Sequence, residues 1–109
     1  MSVTQVERRT APRRQPALGT VCILASDAGE QLGLGLVWNI SRSGVSMLLH
    51  RRLEPGTAIR GELSGRSDTS RLRVTFHIAH VKELRTGDYF VGGQFDRSLE
   101  MKEMLPFLG

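Results

Sequence analysis

The strongest constraint in this sequence is a period of two in its apolar residues, interrupted at short intervals by turn-forming pairs. Leu72, Val74, Phe76 and Ile78 alternate with Arg71, Arg73, Thr75 and His77. Successive side chains on a strand point to opposite faces, so this run describes a strand with one face in a core and the other in water. Leu32, Leu34, Leu36, Trp38 and Ile40 form a second such set, with Val37 out of step. Val45, Met47 and Leu49 form another, Ile59 and Leu63 oppose Arg60 and Glu62, and Tyr89, Val91 and Phe95 form the last. The pattern begins at about Leu18 and takes in the apolar run Val21-Cys22-Ile23-Leu24.

Turn signals fall between these runs: Ser43-Gly44, Pro55-Gly56 and Thr86-Gly87-Asp88. No helical stretch separates one strand from the next, which predicts antiparallel pairing. Six short strands with frequent turns predict an all-β fold, a six-stranded antiparallel barrel over residues 17–109. Gly92-Gly93 inside the last strand suits a bend or a close backbone approach. Beyond the barrel the pattern changes. Ser98 is placed to cap a short C-terminal helix running from about Leu99 to Leu105 or Phe107. Met101, Met104, Leu105 and Leu108 fall at helical spacing and form a stripe that should pack on the barrel. Pro106 should end or distort that helix.

Residues 1–16 carry two prolines and no hydrophobic period, and read as a flexible arm. Charge sets this arm apart. Arg8, Arg9, Arg13 and Arg14 stand against Glu7, so three of the chain's net charge of +4 lie in its first 14 residues. All four cations are arginines, whose planar fork grips flat anionic groups where a lysine offers a point charge. No apolar run approaches the ~18 residues of a spanning helix, and none resembles a signal peptide. The expectation is a soluble cytoplasmic protein without membrane insertion. Cys22 is the only cysteine, so no disulfide forms within the chain, and it reads as a small buried thiol.

Enzyme constellations are not visible. His77 and His80, three apart on one strand, should face opposite sides and share no metal unless a bulge intervenes. Cys22 has no partner at zinc-ligand spacing. Ser41 lacks the flanking glycines of a nucleophile elbow. Gly33-Leu34-Gly35 lies in an apolar run with no helix after it, so it is no phosphate-cradling loop. Acidic residues are scattered singly.

Two segments remain: Arg8-Arg9-Thr10-Ala11-Pro12-Arg13-Arg14 and Asn39-Ile40-Ser41-Arg42-Ser43-Gly44. Each has an ordinary reading. The first is a solvated basic tail. The second is a turn in which Asn and Ser bond the local backbone and Gly44 supplies a positive φ. In combination, Arg9-x-x-x-Arg13 followed 26 residues after Arg13 by Asn39-x-Ser41-x-x-Gly44 resembles the two-part signature of PilZ domains. The second part closes a strand ending at Ile40, Arg8 extends the first, and Val91-Gly92-Gly93-Gln94-Phe95 resembles the family's last-strand element.

That resemblance implies a receptor for cyclic di-GMP, binding one or two molecules per chain, with no enzymatic activity and no other cofactor. By position, Arg9 and Arg13 would make the main contacts, with Arg8 in support. A guanidinium can grip guanine O6 and N7 bidentately, stack on the base, and donate charge-assisted bonds to phosphate. Asn39 and Ser41 would face the ligand from the barrel surface, with Gly44 leaving room for a base. Asn accepts through one oxygen where the family's alternative Asp has two, so that contact is weaker here. Ligand would draw the arm onto the barrel and so signal to an effector protein not named by the sequence, the chain being a monomer or a ligand-linked dimer. The alternative is a PilZ-like adaptor that works by protein contact without nucleotide. A nucleic-acid polymer is not expected as partner, because Trp38, Phe76, Tyr89 and Phe95 all fall on core positions and leave no stacking platform.

Overall fold

The computed structural model describes residues 19–65 and 70–108. The arm over residues 1–16, with Arg8, Arg9 and Arg13, lies outside the described residues. Six strands run in chain order: β1 (Val21–Ser26), β2 (Gln31–Ile40), β3 (Gly44–Leu49), β4 (Ala58–Ser64), β5 (Arg71–Glu83) and β6 (Tyr89–Phe95). Every neighbouring pair is antiparallel, and the order β1-β2-β3-β6-β5-β4 closes on itself as a barrel. Closure leaves no edge strand with unpaired N–H and C=O groups. The expected turns connect the strands. Gly56 and Gly87 adopt φ of +89° and +92°, a region costly to any residue with a Cβ.

Strand alternation fills the barrel as the period predicts on most strands. Leu24, Val45, Met47, Leu49, Ile59, Leu63, Val74, Phe76, Ile78, Val91 and Phe95 are buried. Each such side chain contributes roughly 1.5–3 kcal/mol over its exposed state. Cys22 is fully buried, and burial pushes its thiol pKa up to about 12, so it is inert at neutral pH.

β2 departs from the expectation. Leu34, Leu36 and Trp38 face solvent, at 53%, 55% and 59% exposure, while Gly35 and Val37 point inward. Two irregularities explain it. The register with β1 slips between Gln31 and Gly33, where Gly33 takes a φ of +116°. The register with β3 slips between Val37 and Asn39 and leaves Trp38 unopposed. An extra residue in one strand reverses the side-chain phase. The first slip turns Leu34 outward and the second turns Ile40 back inward, where it is fully buried.

The C-terminal segment is shorter than expected. Helix α1 spans only Met101–Met104, followed by a 3-10 turn over Leu105–Phe107. Glu100, not Ser98, is its N-cap: the Glu100 N–H donates to Glu103 Oε1 at 2.9 Å in a capping box. Met104 and Phe107 are buried and Leu108 partly so, whereas Met101 and Leu105 are exposed. The tighter turn at Pro106 brings residues three apart onto one face, so the buried stripe is Leu99, Met104 and Phe107. No helix among the described residues is long and apolar enough to cross a membrane.

Candidate functional site

The segment Asn39–Gly44 forms the β2–β3 turn, and its side chains largely hold the turn itself. The Ser41 N–H donates to the Gly44 carbonyl at 2.9 Å. In return the Ser43 and Gly44 N–H groups donate to the Ser41 hydroxyl oxygen at 3.2 and 3.1 Å. Ser41 is only 4% exposed, so it stands inside the turn and not on the barrel surface where the sequence put it. Its residue type is explained by local geometry: a short hydroxyl can accept two converging amides. Gly44 is not in the positive-φ region. A Cβ there would run into the Gly93 carbonyl on β6, so the position requires glycine for close approach.

The turn is also fastened to the far end of the chain. The Phe95 N–H donates to the Ser43 carbonyl at 2.8 Å. The Leu99 N–H donates to the Arg42 carbonyl at 2.8 Å, and Arg42 Nε donates back to the Leu99 carbonyl at 2.9 Å. Arg42 therefore couples the turn to the segment leading into α1.

Asn39, half-buried, opens a row across four strands. It pairs with Ser46 on β3, Ser46 with Gly92 on β6, and Gly92 with His80 on β5. Directly opposed residues of antiparallel strands share a face, here the outer one. Phe90 lies on the same face one outward step from Gly92. It meets the Trp38 ring edge-to-face, with centroids 6.5 Å apart and planes at 85°. Gly92 gives way to the His80 imidazole, which occupies the space a Cβ would need.

Sequence reasoning missed both Trp38 and His80. His80 faces outward because a register slip between Ile78 and His80 reverses the phase of β5, so His77 and His80 are both exposed on the outside. His77 Nδ1 lies 2.7 Å from Asp96 Oδ1, while His80 lies against Gly92. No group of three metal-ligating side chains occurs among the described residues. The misplaced Val37 was the one signal in the sequence that β2 shifts phase.

Charge perturbations lie away from this row. Hydrogen bonds from His50 and Thr86 hold Asp88 below the ordinary carboxylate range. The Arg97 fork, at 2.7 and 3.0 Å, lowers Glu103 to about 2. The turn and the row thus offer hydrogen bonding and aromatic surface.

No family model and no curated protein sequence matches the chain. Solved structures do. The K. pneumonia MrkH–c-di-GMP complex superposes with a TM-score of 0.67 at 17% identity, covering 93% of this chain and 49% of MrkH. MrkH in its apo state gives 0.65 at 17% identity. The Bacillus subtilis inhibitor of motility MotI/DgrA gives 0.68 at 11% identity, covering 93% of this chain and 48% of that one. The chain spans about half the length of the solved proteins it matches. With its closed six-stranded antiparallel barrel, its Asn-x-Ser-x-x-Gly turn and its short C-terminal helix, the chain has the PilZ-type fold.

Proposed function

We propose that this protein is a cyclic di-GMP receptor that signals to a partner protein without catalysing a reaction. The observation that carries the reading is where the two motif halves attach to the barrel. Asn39–Gly44 forms the β2–β3 turn, and the Val37 N–H donates to the Thr20 carbonyl at 3.1 Å, so the arm joins the barrel beside Val37-Trp38-Asn39. A chain spans at most about 3.5 Å per residue, which tethers Arg13 within about 21 Å of Gly19 and Arg9 within about 35 Å. Both tethers are long enough for contact with Asn39 without rearrangement of the barrel. MrkH, a neighbour in fold, is known in complex with c-di-GMP, which supports the same ligand class here.

In this reading Arg9 and Arg13, with Arg8, grip guanine edges and phosphates, and Asn39 bonds a base edge from the barrel. Ser41 and Gly44 act one step back. They hold the turn that presents Asn39, which accounts for their residue types without a direct contact. Ligand binding draws the arm onto the outer face of β2 and β3, changing the surface offered to an effector. The Arg42–Leu99 pairing gives that change a physical link to the C-terminal segment. A cytoplasmic location agrees with this ligand.

A second reading is an adaptor that binds protein without nucleotide, and the exposed Ile23, Leu34 and Leu36 favour it. Calorimetric titration with cyclic di-GMP separates the two. The receptor reading expects saturable heat with a stoichiometry of one or two. It also expects Arg9→Ala and Arg13→Ala each to lower affinity at least about 10-fold while thermal stability stays unchanged, as charge-assisted bonds contribute roughly 1.5–3 kcal/mol. Absence of heat at tens of micromolar ligand would leave the adaptor.

A further inference from the structure

The outer face beside Asn39 carries an aromatic group that no motif assigns. Trp38 is skipped in the β2–β3 pairing, and the bulge lifts its side chain out of the barrel, where it is 59% exposed. A large aromatic at that exposure gains little from the fold. Its ring is nonetheless oriented. β2 and β6 both flank β3, roughly 4.8 Å away on each side. Ring centroids 6.5 Å apart therefore mean that Trp38 and Phe90 lean toward one another above β3. The contact is edge-to-face, with planes at 85°. An edge contact fixes the plane of an indole without covering both of its faces. The arm joins the barrel at Thr20, which Val37 holds by a backbone hydrogen bond, immediately before Trp38. Asn39 follows immediately after it. An oriented indole face thus stands between an amide that can read a base edge and the root of an arginine-rich segment.

We propose that Trp38 is a base-stacking platform, and that one guanine of the bound cyclic di-GMP lies on its indole face with an edge toward Asn39. This rests on the receptor reading above and adds a residue to it. The chemistry suits the position. A purine offers a broad π-face, and stacking between base and aromatic side chain is strong enough to direct where the base sits. The remaining exposed apolar residues of the face, Leu34 and Leu36, lie on the side of Trp38 away from Asn39 and are not needed for the contact. Trp38 acts as a specificity determinant: it favours a planar base over a bare phosphate or sugar, adding to the base recognition that the arginines supply.

Trp38 is the only tryptophan in the chain, so its fluorescence reports the proposed contact directly. The experiment titrates the full chain with cyclic di-GMP and follows calorimetric heat and tryptophan emission in parallel, for the wild type and for Trp38→Ala and Trp38→Phe by heat alone. Stacking predicts saturable quenching of emission with the same midpoint as the heat. It also predicts an affinity loss of about 5- to 150-fold in Trp38→Ala, the range that base–aromatic stacking spans on truncation, and a smaller loss in Trp38→Phe. Melting temperatures should stay close to wild type because the side chain is exposed. Heat without quenching, or affinity within twofold of wild type in Trp38→Ala, overturns the proposal and leaves the receptor reading standing. An emission shift without loss of intensity would put a guanidinium on the ring in place of a base, and also overturns it. Absence of heat in the wild type removes the receptor reading, and the platform with it.

Discussion

Strands β2 and β5 occupy opposite sides of the closed barrel and differ most in what they show to water. Outward from β5 stand Arg71, Arg73, Thr75, His77, His80 and Lys82. Outward from β2 stand Leu34, Leu36 and Trp38, and β2 contains no ionisable residue. Inward, the contrast reverses. β5 fills its half of the barrel with Val74, Phe76 and Ile78, whereas the middle of β2 contributes Gly35 and Val37. Apolar bulk that serves the core on β5 has been transferred to the surface on β2 by two slips of register. The side of the barrel carrying the Asn39 turn is therefore the side with more apolar and aromatic area to offer a ligand or partner.

The inner difference has the largest measurable consequence. A Cβ on Gly93 would enter the space of the Phe76 ring, which is 1% exposed and set edge-to-face against Phe95 at 6.3 Å. That ring has nowhere to go, and Gly93→Ala should lower stability by about 3 kcal/mol, the upper part of the overpacking range. A Cβ on Gly35 would meet the Sδ and Cγ atoms of Met47 first. A thioether chain adapts to added volume, so Gly35→Ala should cost about 1 kcal/mol. Urea denaturation of the two variants checks the order. Equal losses would mean that the β2 side is packed as tightly as the β5 side.

The same two strands show how much of this molecule could be read from the chain. On β5 the alternation from Arg71 to Ile78 gave the strand, its inner face and its register, because nothing interrupts the period there. β2 offered an equally regular run, yet Leu34, Leu36 and Trp38 were assigned to the core. Their burial is decided by backbone slips at Gly33 and Trp38, and a slip costs one residue of pairing without leaving a residue type that announces it. Val37 was the trace of it. The turn motif was legible as a motif, and its internal chemistry was not. Ser41 looked like a surface contact because the sequence cannot say that its hydroxyl accepts the Ser43 and Gly44 amides. Gly44 looked like a positive-φ residue because the Gly93 carbonyl is 49 residues further along the chain. The capping residue of α1 was misplaced by two positions for a similar reason: Glu100 serves through its pairing with Glu103, which Ser98 lacks.

The outer difference is expected to have a smaller effect on folding than on binding. Leu34→Ser and Leu36→Ser remove side chains that are more than half exposed, so each should change stability by no more than about 0.5 kcal/mol. The same exchange at Ile78, buried at 2%, should cost several-fold more. Thermal denaturation of the three variants tests whether the β2 surface is a surface in solution. A loss at Leu36→Ser approaching that of Ile78→Ser would mean that this face is covered in the free protein.

The smallest expected effect concerns pH, and it falls away from β2, which has nothing to titrate. Glu103 is held at about 2 by its hydrogen bonds to the Arg97 fork and by the Glu100 N–H. An unfolded glutamate titrates near 4.3. A carboxyl whose folded value is depressed binds its proton more readily in the unfolded chain, so its contribution to stability is present above the unfolded value. It is lost as pH falls from about 4 toward about 2. Comparing melting temperatures of the wild type and Glu103→Gln isolates this contribution. The wild type should melt higher at pH 6, with the gap closing as pH approaches 2, and salt should narrow it because the pair is open to solvent. A gap that persists unchanged at pH 2 would mean that the stabilisation does not come from the carboxylate charge. If the gap closes, the C-terminal segment that Arg42 fastens to the Asn39 turn responds to acid, while the outer face of β2 carries no group that would.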